Sequence, residues 1–359
     1  MPSPLRTLAL AGAVLAGAAS AQPVPLDSLA RAVADSLGLP SLVVGITVGG
    51  ERAVVGVGEV HGERPNAHTL YEIGSVSKVL TGLALADAVV RRETTLETPI
   101  ADLLADSVTV GAHEAGPIRL VDLATHTAGL PQIDLAMGFA PGFDMSDPYA
   151  RYDADDLMAF LDRIEPATPP GETYAYSNAG AGLLGFALAR RAGTPYAEHV
   201  QARVLDPLGL GETFVTVPDA LADRLAPGHA ASGEPTPPWT FQEPTVAAGG
   251  WRASAADLLT LAEAAIRPEG TPLADAIALS LTPHAATGDG REVGLGWHLS
   301  TLDGGLRVAS HNGGTGGFVT SLLVAPDEGL GVVVLSSRMV GAPLPLFALD
   351  LLHRLARAE

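Results

Sequence analysis

Ser75 and Lys78 stand three residues apart in the stretch LYEIGSVSKVLTGLALADAVV, and Lys78 is the only lysine in a chain that carries twenty arginines. Surface charge does not explain it, because arginine serves there equally well. An arginine holds its proton at any useful pH, whereas a lysine taken out of water loses its proton far below its reference pKa of about 10.4. A base is the role that arginine cannot fill. In a helix, a spacing of three residues places two side chains on one face, roughly 60° apart at about 100° per residue. Ser77 is one residue away and points elsewhere. The spacing predicts a helix starting at Ser75, which would set the hydroxyl at the positive end of the helix dipole, beside an amide able to stabilise an oxyanion.

Two further stretches carry chemistry. PGETYAYSNAGAGLLG holds Tyr176 and Asn178 ahead of a helical run, in a chain with six tyrosines and three asparagines. A phenol can move a proton and an amide can grip a substrate carbonyl. RVASHNGGTGGFVTSLLV puts His311, Gly313 and Gly314 at the end of a strand-like run, where glycine lets a ligand approach the backbone closely. Taken singly, each motif also suits a plainer role: Lys78 as an exposed helix residue, Asn178 as a helix cap, His311 to Gly313 as a polar turn.

The elements that must position these residues follow from the periodicity. LVVGITVGGERAVVGVGEV reads as a hairpin with a Gly-Gly-Glu-Arg turn, and VGLGWHLS, GLRVASHNG, GFVTSLLVAP and LGVVVLSS read as four more strands before a closing helix near Pro345 to Arg357. Between the two ends the period turns helical, in DDLMAFLDRI, GLLGFALARRAG, AEHVQARVLDPLGL and ASAADLLTLAEAAI. The expected class is α+β: one antiparallel sheet built from both chain ends and flanked by helices, with a mostly helical lobe inserted between them. The sheet lobe is expected over about 22–92 and 245–359, and the helical lobe over about 93–244.

In this order and combination, the three stretches resemble the serine hydrolases of the class C β-lactamase and D-Ala-D-Ala carboxypeptidase family, whose Ser-x-x-Lys pattern is an established catalytic one. LATHTAGLP, PGETYAYSNAG and AAGGWRASAADLLTLAEA are similar to the family as well, so the resemblance spans nearly all of residues 22–359. It implies a β-lactamase/penicillin-binding transpeptidase-like fold and an acyl-enzyme on Ser75, with Lys78 and Tyr176 as the general base pair. It also implies that Asn178, His311, Gly313 and Gly314 bind substrate, the amides of Ser75 and Gly314 forming the oxyanion hole. The third motif departs from the Lys-Thr-Gly of β-lactamases. His311 replaces a fixed positive charge with a group that is mostly neutral near pH 7. In the family, histidine at this place goes with carboxypeptidases, D-amino-acid peptidases and esterases. The expected activity is therefore hydrolysis of a D-amino-acid peptide or ester rather than dedicated β-lactam resistance. The alternative is a catalytically inactive relative that binds peptidoglycan or penicillin.

Bulk properties narrow the setting. Residues 1–21 have an early Arg6, an apolar run and the ending Ala19-Ser20-Ala21, the pattern of a signal peptide cut after Ala21, so a periplasmic or secreted protein is expected. With no cysteine, neither disulfides nor thiolate metal sites are available. Forty acidic against twenty-one basic residues give a net charge of −19, which argues against nucleic acid and anionic membrane as partners and leaves a small-molecule or peptide substrate. No His-Glu-x-x-His pair suggests a metal, and no cofactor is expected: GAGLLG, which fits a dinucleotide fingerprint, follows a loop rather than a buried strand and reads as close helix packing. His126, ahead of Gly129 and Pro131, reads as a helix-end residue, and substrate selectivity is expected in loops of the helical lobe, such as Asp134 to Tyr152.

Overall fold

The computed structural model describes residues 24–104, 108, 110–111 and 113–358. The predicted leader, residues 1–21, lies outside them. The N-terminal part supplies helix α1 (Leu26–Leu37), strands β1 (Ser41–Val48), β2 (Glu51–Gly58) and β3 (Leu70–Glu72), and helix α2 (Ser77–Val90). Helices then dominate: α3 (Leu120–Ala124), α4 (Ala154–Arg163), α5 (Asn178–Ala192), α6 (Tyr196–Val200) and α7 (Asp206–Leu208). The short strands β4 (Thr213–Phe214), β5 (Gly228–His229) and β6 (Pro235–Thr236) lead to α8 (Glu243–Gly249), β7 (Arg252–Ser254), α9 (Ala255–Ile266) and α10 (Ala274–Ser280). The C-terminal part returns to strands β8 (Ala285–Ala286), β9 (Glu292–Val293), β10 (His298–Thr301), β11 (Arg307–Gly314), β12 (Val319–Ala325) and β13 (Leu330–Ser336), ending in α11 (Pro343–Ala358).

Eight strands form one antiparallel sheet in the order β2-β1-β13-β12-β11-β10-β9-β8. The predicted α+β class and the sheet built from both chain ends are borne out, with β1 pairing β13 from Leu42↔Ser336 to Val48↔Leu330. The Gly49-Gly50 turn closes the β1–β2 hairpin with both glycines at positive φ, the geometry that matches the twist of the flanking strands. VGLGWHLS, read as one strand, is two pieces: β9 and β10 are separated by Gly294 to Trp297, with Gly296 at φ 77°. The closing helix begins two residues before the predicted Pro345, since proline is tolerated in a first turn.

Both faces of the sheet are covered, so β12 and β13 are buried along their whole length and read as continuous apolar runs. On one face Val44, Val332, Val334 and Leu323 pack against Ala30 of α1 and Leu351 and Leu352 of α11. On the other, Val43, Val333, Leu335 and Leu322 belong to a core shared with Leu259 of α9, Leu83 of α2 and the helical region around Leu183 and Phe186. Alternate residues of one strand thus feed two cores. Helix α2 has buried residues from Ser77 to Ala88 on every side, which places Lys78 at 3% exposure instead of on the surface.

Candidate active site

Ser75 lies in a 3-10 turn, Gly74–Val76, and the α-helix begins at Ser77, two residues later than expected. The turn is forced tight by its neighbour. Gly74 sits at φ 49° and a Cβ on it would come within 2.6 Å of Gly314 N, while a Cβ on Gly313 would lie 1.9 Å from Ile73 O and 3.1 Å from Ser75 N. The backbones of the turn and of β11 therefore run against each other with no room for a side chain. This seam brings Ser75, Gly313 and Gly314 together.

Lys78 Nζ is 3.0 Å from Ser75 Oγ, 2.7 Å from Asn178 Oδ1 and 2.6 Å from Ala248 O. Ala248 O is one of the last carbonyls of α8, which have no partner within the helix and are free to accept. Burial holds the Lys78 amine well below the ordinary lysine value. A neutral amine has two hydrogens and one lone pair. Two of its three neighbours, the Asn178 and Ala248 oxygens, can only accept, so the lone pair is left to face the Ser75 hydroxyl. That arrangement can draw a proton from Ser75.

Tyr176 stands on the other side of the amine, its ring centroid 4.9 Å from Lys78 Nζ. Burial raises its phenol above the ordinary tyrosine value, and a hydrogen bond with Ser75 opposes the rise. The phenol thus keeps its proton at neutral pH and can pass it on. Ser177, not Asn178, caps α5 by accepting from Gly180 N at 2.8 Å, which leaves the Asn178 amide to face Lys78 and to donate to Tyr149 Oη at 3.2 Å.

Three imidazoles surround Tyr176. His126 lies 4.4 Å away between ring centroids, and His298 and His311 lie 6.3 Å away. His126 does sit just past the end of α3, at φ 61°, and its Nδ1 accepts from Ser177 N–H at 3.2 Å. Its carbonyl accepts from Ala175 N–H at 2.8 Å, so both ends of His126 pin the segment that carries Tyr176. His311 is 2% exposed, and its Nδ1 donates to Asn312 O at 2.7 Å. Burial, with His298 and Lys78 nearby, keeps His311 well below the ordinary histidine range. His298 is pushed down to about 4, by burial first and by Arg291 and Lys78 after it. Near neutral pH the third motif therefore presents a neutral imidazole.

All seven residues singled out in the sequence, Ser75, Lys78, Tyr176, Asn178, His311, Gly313 and Gly314, meet around this cleft. Sequence reasoning missed His298, which pairs with Ser310 across β10 and β11 and bonds Tyr174 Oη at 2.9 Å. It also missed the Ala248 carbonyl, which no side-chain pattern reveals, and the aromatic residues Trp239 and Phe241. The signals were a polar residue closing GLGWH and two rings in a Pro-rich loop.

The chain belongs to the beta-lactamase family, whose profile it matches over residues 26–356. Its solved relatives include the class C beta lactamase from Rhodobacter sphaeroides, at a TM-score of 0.76 and 26% identity, covering 92% of this chain and 97% of that one. A beta-lactamase of Pseudomonas fluorescens is 27% identical over 76% of this chain and 80% of its own length. The D-alanyl-D-alanine-carboxypeptidase/endopeptidase AmpH of Escherichia coli K12 is 24% identical over 94% and 91%. The protein is a serine hydrolase of this family.

Proposed function

We propose that this protein hydrolyses D-amino-acid peptides or esters through an acyl-enzyme on Ser75, with Lys78 and Tyr176 as the general base pair. The observation that supports it best is the Lys78 amine, buried and held by Asn178 Oδ1 and Ala248 O beside the Ser75 hydroxyl. Lys78 takes the Ser75 proton as Oγ bonds to the substrate carbonyl carbon, and the negative charge moves to the carbonyl oxygen, between the amides of Ser75 and Gly314. The proton passes through Tyr176 to the leaving nitrogen or oxygen as that bond breaks, leaving the acyl group on Ser75. A water then gives its proton to the same pair, attacks the acyl carbon and releases the acid, and Ser75 regains a proton. Asn178, His311 and Gly313 bind the substrate.

A neutral His311 supplies no fixed charge for a β-lactam carboxylate, which favours substrates with no anion at that place, esters or internal D-peptide bonds, over dedicated antibiotic resistance. Among the described residues no helix is long and apolar enough to cross a membrane. Export, with cleavage after Ala21, completes the reading, and the strands and helices are grouped as a sheet lobe of about 22–92 and 245–359 around a helical lobe of about 93–244.

A fluorophosphonate probe should label the wild type and not Ser75→Ala, whose turnover should fall roughly 10⁴-fold or more. Ranked by kcat/KM, D-Ala-D-Ala peptides or p-nitrophenyl esters should exceed nitrocefin. The reverse order would overturn the role given to His311.

A further inference from the structure

We propose that Glu72 is a positioning residue of the oxyanion hole: acting through Thr315, it holds the Gly314 amide in register with the Ser75 amide. The inference rests on the serine-hydrolase mechanism above and adds what keeps its two oxyanion donors at a fixed separation. Those donors sit on different elements, Ser75 on the turn after β3 and Gly314 at the end of β11. From Gly313 to Gly317 the chain reads Gly-Gly-Thr-Gly-Gly. Glycine leaves the backbone free to turn, so this run offers a single side chain by which it can be held. That side chain is engaged. Thr315 is 1% exposed, and its Oγ1 donates to Glu72 Oε2 at 2.7 Å.

Glu72, on β3 just ahead of the Ser75 turn, is fixed from several directions. It stands opposite Arg252 across β3 and β7, and Arg252 Nη2 donates to its Oε1 at 2.7 Å. Arg252 is anchored in turn: its Nη1 donates to Val215 O at 2.6 Å and to Gly250 O at 3.1 Å, and its Nη2 also donates to Trp239 O. The Glu72 carbonyl accepts from Thr320 Oγ1 at 3.2 Å, on the strand β12 that follows the glycine run. One residue thus holds the run itself and the strand beyond it.

Stability alone is a poor reason for such a pair. Glu72 and Arg252 are both buried, and two charges that must leave water together contribute little net stability. What the pair supplies is direction. A charged acceptor makes a shorter and stronger hydrogen bond than a neutral one, and here one oxygen faces β7 while the other faces the residue next to Gly314. The close contact of Gly74 with Gly314 and of Gly313 with Ile73 limits how near the turn and β11 can come. The Glu72–Thr315 bond keeps them from parting.

The test compares Thr315→Val, which loses the hydroxyl at nearly constant shape, Thr315→Ser, which keeps it, and Glu72→Gln, which loses the charge. Two quantities are measured per active site, with sites counted by fluorophosphonate titration run to completion. One is kcat/KM for p-nitrophenyl acetate; the other is Ki for phenylboronic acid, whose tetrahedral adduct on a serine sets an oxygen in the oxyanion hole. Thr315→Val and Glu72→Gln should each lower kcat/KM roughly 10- to 100-fold, short of the roughly 10²- to 10³-fold cost of deleting a donor, and raise Ki by a similar factor. Thr315→Ser should lie close to the wild type in both. Unchanged kcat/KM in Thr315→Val overturns the proposal, as does a loss in kcat/KM with Ki unchanged, which puts the defect outside the hole. If denaturant unfolding shows one of the two disruptive variants unfolded, the other decides. If both are unfolded, the contacts serve the fold alone and the proposal falls. A wild type that neither hydrolyses the ester nor takes the fluorophosphonate instead overturns the mechanism on which the proposal rests.

Discussion

A lone lysine among twenty arginines is a statement about proton chemistry, and its surroundings show how the protein enforces it. Lys78 is 3% exposed, and an ammonium there would meet two carbonyl-type oxygens and a hydroxyl but little water. Desolvation favours the neutral form, which is the form a base needs. The sign of the pH dependence follows: acid protonates Lys78 and removes the lone pair, so kcat/KM falls as pH drops through its lowered pKa and levels off above it. An ordinary lysine would give a rise only near its usual value of 10.5. The acid limb of ester hydrolysis is therefore expected well below the ordinary lysine value, with the plateau on its alkaline side. Lys78→Arg brings in a permanent cation and never offers a lone pair, and it should lose roughly 10³-fold in kcat/KM across the whole range. An acid limb centred near the ordinary lysine value, or an active Lys78→Arg, would remove Lys78 from the mechanism.

One level up, the nucleophile depends on the fit between a turn and a strand. The 3-10 turn Gly74–Val76 lies against β11, and Gly313 is where that contact is closest. Gly313→Ala sets a methyl 1.9 Å from Ile73 O, a distance no real contact tolerates, so β11 and the turn must part. Both move against backbone, which cannot swing aside as a side chain would. The expected result is a loss of about 1–3 kcal/mol in stability from overpacking and, because misplacement by ~1 Å is enough, about a 10²-fold loss in kcat/KM. Denaturant unfolding and ester kinetics on the same sample would check both. A fully active Gly313→Ala would show that the seam does not hold Ser75 in place.

Across the whole molecule, the sheet joins residues near the two ends of the described chain, since β1 pairs with β13 and α1 and α11 cover the same face. The long middle section is thereby closed into a loop that emerges from the sheet and returns to it. Having no cysteine, the chain relies on these two cores rather than on disulfides, which an oxidising compartment would otherwise permit. The composition of residues 1–21 motivates export, and intact mass of the chain recovered from the periplasm or medium should correspond to a first residue of Gln22. Recovery only from the cytoplasm with Met1 in place would end that reading.

The class of fold and the residues that gather at the cleft are legible in the order of residue types alone. Apolar periodicity marked the hairpin, the C-terminal strands and the long helices, and rare residue types at short spacing marked Ser75, Lys78, Tyr176 and Asn178. Where α2 begins, which residue caps α5, and which groups complete the cleft from a distance depend on how separate elements pack. Ala248 is 170 residues from Lys78, and His298 reaches Tyr174 from 124 residues away. The reason is physical: periodicity and spacing record contacts within one element, whereas a backbone carbonyl turned towards an amine, or a glycine that lets two backbones touch, exists only once separate elements have packed.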